Sequence, residues 1–64
     1  MPIIRVEMLK GRTKEQKQEL VQKLTDGFVE SCGGNKASIH VVIDEVEADN
    51  WGIGSVLVAD RDNH

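Results

Sequence analysis

The chain has 64 residues, a formal net charge of −3 and a single cysteine, Cys32. That length allows one domain, the lone cysteine rules out an internal disulfide, and a core this small buries only roughly 60% of the surface the unfolded chain exposes. Basic residues are interspersed with a slight excess of acidic ones, and Phe28 and Trp51 are the only aromatics, so the electrostatic footprint of a nucleic-acid binder is missing.

Metal binding is equally unsupported, because His40 and His64 bear no ligand spacing to Cys32. No apolar run approaches the roughly 20 residues that cross a bilayer. Arg5, Glu7 and Lys10 interrupt any leader-like stretch near the start. A soluble, cytoplasmic protein without membrane or nucleic-acid partners is expected, and one cysteine suits a reducing compartment. Lacking disulfide and metal, a domain of this size completes its core by self-association.

Residues 2–9 alternate: Ile4, Val6 and Met8 share one face, Arg5 and Glu7 the other, and Ile3 and Leu9 add apolar ends to that second face. This is a strand with one clearly apolar face. Pro2 stands at its head, where a missing N–H breaks no ladder bond. Gly11 permits the turn that follows. Thr13 and Gln16 have the T-x-x-Q spacing of a capping box, in which each side chain satisfies a free backbone N–H at a helix start.

From there a helix is predicted to about Cys32. Leu20, Val21, Leu24, Phe28 and Cys32 fill an arc of about 120°, a core-facing stripe. Glu15, Glu19, Lys23, Asp26 and Glu30 lie opposite, with Glu19 and Lys23 at i,i+4 spacing. Cys32, on the apolar arc, is read as packing. Gly33-Gly34 ends the helix through a left-handed cap.

A second strand is expected at roughly 38–46, with Ile39, Val41 and Ile43 on one face and His40, Val42, Asp44 and Val46 on the other. The run from Glu47 to Asn50 is a turn cluster. The spaced glycines of "WGIGSVLVA" suggest a short hairpin or bulged ribbon, and "DRDNH" reads as a frayed polar tail. The fold class is therefore α/β (α+β): one β-α-β unit with parallel strands and a right-handed crossover, plus a short C-terminal hairpin, in a single domain spanning 1–64. Two strands and one helix leave a sheet edge and a half-apolar face open, which pairing between copies repairs.

The opening "MPIIRVEMLKGRTKEQK", then a helix, a strand, and an aromatic followed by "GIG", resembles the 4-oxalocrotonate tautomerase family from Pro2 to about Ser55. The resemblance implies an isomerase that interconverts enol and keto forms of a small unsaturated carboxylic or dicarboxylic acid, of a kind met in aromatic degradation. It implies no cofactor, and assembly as a homohexamer, a trimer of dimers. Removal of Met1 frees the prolyl amine of Pro2 to act as general base. Apolar surroundings and nearby cations disfavour its ammonium form, so that it titrates near the operating pH.

By the same resemblance Arg12 binds the substrate carboxylate, for which a guanidinium offers paired donors. Trp51 stands where the family has an aromatic wall, with Leu9 and Ile53 at apolar positions beside it. His40 departs from the pattern, since many members have a second arginine there. An imidazole is shorter and cannot reproduce that fork, which leaves open both the exact substrate and whether His40 binds it or is a half-buried strand histidine bonded to a neighbour. Related members hydrate activated double bonds or remove halide, for which His40, Asp44 and Glu45 are the candidate water-activating groups. A non-catalytic oligomeric module on the same fold is the reading from another class. Loss of the second arginine favours it, and retention of Pro2, Arg12 and Trp51 together opposes it.

Overall fold

A computed structural model describes residues 2–61. Met1 and residues 62–64 lie outside the described residues, so the expectations about Met1 removal and the end of the polar tail do too. Strand β1 (Ile3–Leu9) leads into helix α1 (Lys14–Cys32), a 3₁₀ turn (Lys36–Ser38) and strand β2 (His40–Val46). A second 3₁₀ turn (Ala48–Asn50), strands β3 (Gly52–Ile53) and β4 (Val56–Leu57) and a one-turn helix α2 (Val58–Arg61) complete it.

β1 and β2 pair in parallel, from Ile3 opposite His40 to Leu9 opposite Val46. Their exposure alternates in step. Ile4, Val6 and Met8 of β1 and Val41, Ile43 and Glu45 of β2 are half-buried beneath α1, whose Leu20, Val21, Leu24, Phe28 and Val29 are half-buried in turn. On the other face Ile3, Arg5, Glu7, His40, Val42 and Asp44 are exposed, Ile3 at 62%. Among the described residues none is fully buried within the single chain. The predicted size limit is thus visible: one face of the sheet has a cover and the other has none.

The helix start follows the predicted capping box. The Gln16 N–H donates to Thr13 Oγ1 at 3.1 Å, and the Thr13 N–H donates to Gln16 Oε1 at 2.9 Å. At the other end the Gly33 N–H donates to the Val29 carbonyl, but the cap, at φ 80° and ψ −169°, is more extended than the left-handed form expected. β2 starts two residues later than predicted. Asn35 takes the chain into a 3₁₀ turn, its side chain accepting from the Ala37 N–H while its carbonyl accepts from Ser38 Oγ. Cys32 is exposed, which corrects its reading as packing. Asp26, placed on the solvent side, is half-buried and pairs with Lys36 at 3.0 Å.

β3 and β4 form the predicted hairpin, antiparallel, with Gly52 opposite Leu57. Gly54 and Ser55 between them have φ of 57° and 75°, the positive values that a tight two-residue hairpin turn requires at both positions. Asp60 and Arg61, expected in a frayed tail, belong to α2. No helix of the described residues is long and apolar enough to cross a membrane.

Candidate active site

Pro2 lies at the N-terminal end of the sheet. Its carbonyl accepts the His40 N–H at 3.1 Å, so Pro2 and His40 are neighbours there. His40 opens β2 on the uncovered face and is exposed. Both strands run away from this end, because they are parallel. The Lys10 N–H donates to the Val46 carbonyl at 3.0 Å, closing the ladder at the far end.

Leu9, Arg12 and Trp51 belong to that far end. Leu9 is opposite Val46 and half-buried. Gly11, at φ 138°, turns the chain off β1 in a conformation that side chains disfavour, and Arg12 follows it, exposed. Trp51 follows the second 3₁₀ turn, its carbonyl accepting the Val58 N–H at 2.8 Å. It lines a shallow recess of about 270 Å³ with Glu7, Val46, Asn50 and Gly52. Ile53 is the next residue along β3 and is 49% exposed.

The electrostatics of this end leave Arg12 unengaged. Lys10 pairs with Glu47 at 2.7 Å, and Lys17 pairs with Glu45 at 2.8 Å. The hydrogen bond to Glu47, reinforced by its charge, raises the Lys10 pKa above the ordinary lysine value. The hydrogen bond from Lys17 holds the Glu45 carboxyl below its ordinary value, against a smaller opposing effect of desolvation. Two of the cations flanking Arg12 are thereby neutralised. Among the described residues Arg12 itself has neither an ion-pair nor a hydrogen-bond partner, so its fork is free for an anionic ligand.

The single chain gathers the predicted residues into two groups and keeps the groups apart. From Pro2 to Leu9 is about 23 Å at the usual strand rise of about 3.3 Å per residue. Pro2 and Arg12 of the same chain therefore cannot contact one small ligand. Sequence reasoning missed Glu7 and Asn50 in the wall of the recess. Glu7 was legible as a residue of the Leu9 face, but only the parallel register carries that face to Val46 and Trp51. Among the described residues no cluster of His, Cys, Asp and Glu could hold a metal ion.

The family profile for tautomerase enzymes matches residues 2–61. The chain is 43% identical to a probable tautomerase of Staphylococcus epidermidis, over 95% of its own length and all of that protein. It superposes on DmpI from Helicobacter pylori with a TM-score of 0.86 at 40% identity, covering 92% of this chain and 98% of that one. With a heterohexameric 4-oxalocrotonate tautomerase from Chloroflexus aurantiacus the TM-score is 0.88 at 32% identity, covering 94% and 97%. The chain belongs to the tautomerase superfamily, within its 4-oxalocrotonate tautomerase family. It is accordingly an isomerase of the tautomerase type that acts on small carboxylic acids and self-associates.

Proposed function

We propose that the protein interconverts the enol and keto forms of a small unsaturated carboxylic acid in a site shared between copies, without a cofactor. Pro2 of one copy, freed by removal of Met1, supplies the base. Arg12 of another holds the carboxylate, and Leu9, Trp51 and Ile53 form the apolar wall. The observation that carries this reading is the separation along β1: the proton acceptor and the one unengaged turn arginine stand at opposite ends of the same strand. A homohexamer, a trimer of dimers, provides such junctions, and the uncovered sheet face and the absence of fully buried described residues fit it. The exposed, unpaired Cys32 suits a reducing cytoplasm.

In the reaction the Pro2 nitrogen takes the enol O–H proton as the oxygen becomes a carbonyl. The prolinium then returns a proton to a carbon of the conjugated chain. The carboxylate stays bound to Arg12, and the apolar wall keeps water from the intermediate. A terminal prolyl amine suits this role because its lone pair is fixed by the ring and is lost when the nitrogen is acylated. His40, adjacent to Pro2, offers a single hydrogen bond to the substrate, which favours a monoacid over a diacid.

The test is ketonisation of phenylenolpyruvate by chains with and without Met1. The processed chain is expected to show a rate that rises with pH through one ionisation. The Met1-bearing chain should be folded and lack that activity, a loss of about 10²–10⁴-fold for a removed general base. Equal rates for the two forms would eliminate Pro2 as the base.

A further inference from the structure

The crossover from β1 to α1 is tied down on both sides of Arg12. Before it, the Lys10 N–H donates to the Val46 carbonyl at 3.0 Å, and Lys10 Nζ reaches Glu47 Oε2 at 2.7 Å. After it, the Thr13 capping box fixes the helix start. Between these anchors lie only Gly11 and Arg12. Gly11 has φ 138°, and nothing stands within 4 Å of the place a Cβ would occupy. A glycine so placed has more conformational freedom than any other residue. Unrestrained, it would let the exposed Arg12 behind it wander.

One side chain reaches this span from β2. Glu45 lies on the covered face of the sheet, half-buried, whereas His40 and Asp44 lie on the open face. Its Oε1 accepts from Lys17 Nζ at 2.8 Å, and the Gly11 N–H is a further, weaker donor to the same carboxylate. Lys10 adds a longer-range attraction. Glu45 thus joins three elements: β2, the Gly11–Arg12 span and the start of α1. Lys17 does little for its own helix, because the helix dipole opposes a cation so near the N-terminus. Its partner lies across the fold, 28 residues away in sequence.

We infer that Glu45 is a positioning residue for Arg12: held by Lys17, its carboxylate draws in the Gly11 N–H and fixes the span that carries the guanidinium. A fork that must meet two carboxylate oxygens binds less well when its backbone drifts, since the geometry must be found again at each encounter. Glu45 itself needs no contact with substrate. Its pair with Lys17 is partly withdrawn from solvent and so is screened less than the exposed Lys10–Glu47 pair. The consequence for the substrate rests on the function proposed above; the bracing of the turn does not.

Nuclear magnetic resonance on isotope-labelled protein reads the brace. The Gly11 amide should shift as Glu45 ionises, with a midpoint below the ordinary carboxylate range, and Glu45→Gln should abolish that response. No response in the parent, or one that survives in Glu45→Gln, overturns the proposal. Kinetics on phenylenolpyruvate read the consequence. In the processed chain Glu45→Ala should raise KM about tenfold and leave kcat within about twofold, because a loosened anchor weakens ground state and transition state alike. Glu45→Gln keeps an acceptor for the Gly11 N–H and should fall between parent and Glu45→Ala; it carries the comparison if Glu45→Ala fails to fold. In an Arg12→Ala background the Glu45 variants should change KM by less than about twofold, since both residues act on one interaction. An unchanged KM, or the full effect retained without Arg12, overturns the proposal. Should Arg12→Ala itself leave the kinetics unaltered, the proposed function loses Arg12, and the Gly11 amide alone decides on the brace.

Discussion

At one end of the β1–β2 sheet Pro2 and His40 share a backbone hydrogen bond, and among the described residues no charged side chain pairs with either. At the other end Arg12 stands among two engaged lysines, a tryptophan and a recess. In the proposed reaction the first end supplies the group that moves the proton and, in His40, a single hydrogen bond. In the same proposal the second holds the acid, with Glu45 and Glu47 both tied to lysines. A parallel pair keeps these ends about a strand length apart, where an antiparallel hairpin could fold one back on the other. In the function proposed above, complementarity between ends of different copies replaces complementarity within one.

The largest expected effect comes from separating the ends genetically. A Met1-bearing chain lacks the base and an Arg12→Ala chain lacks the cation, so each homomer should be impaired. Co-refolded in equal amounts, they should regain intact junctions at about a quarter of the sites. The readout is the rate of ketonisation after mixing. No gain above the sum of the separate rates would mean that one copy holds a whole site.

Arg12→Ala alone should lower kcat/KM for a carboxylate substrate roughly 10- to 150-fold, the value of a charge-assisted hydrogen bond of about 1.5–3 kcal/mol. Thermal stability should hardly change, because the side chain is exposed and unpaired. Unaltered kinetics would remove Arg12 from the site. At the opposite end, His40→Arg should raise activity toward a dicarboxylate dienol by about tenfold, the lower range of the same interaction. Circular dichroism must first show the variant folded. A folded variant without gain would place His40 away from the substrate.

The smallest effect is on stability. Glu45 has a lowered folded-state pKa, so its pair with Lys17 stabilises above the ordinary carboxylate range and is lost as pH falls through the lowered value. Glu45→Gln should therefore melt slightly lower than the parent at pH 7, and the difference should vanish in acid once the pH lies below the lowered folded-state value. A difference that persists there would have another origin than the ion pair.

Elements governed by near neighbours were legible in the sequence. The T-x-x-Q box at Thr13, the alternation of β1 and the Gly54-Ser55 turn each depend on a few adjacent residues. The start of β2 was misread because the Asn35 side chain bonds to Ala37 and offers the backbone a turn in place of a strand. α2 was missed because the polar composition of the tail hid a short turn that begins at Val58, beside Trp51. Cys32 continues the apolar arc but lies past the point where the helix still covers the sheet, so periodicity alone placed it inside. Pro2, Arg12 and Trp51 could be named from motif order. Their division between two ends could not, since it depends on a register between residues far apart in the chain.

That register also sets an order of events during synthesis. β1 leaves the ribosome first, yet its only partner within the chain begins at His40, opposite Ile3. At about 5–20 residues per second, several seconds pass before β2 arrives. Throughout that interval IIRVEML is a nascent segment with both edges bare, in a cell full of other strands. Arg5 and Glu7 interrupt what would otherwise be a run of five apolar residues, and such charges discourage indiscriminate stacking. Arg5 and Glu7 thus guard the segment while it waits.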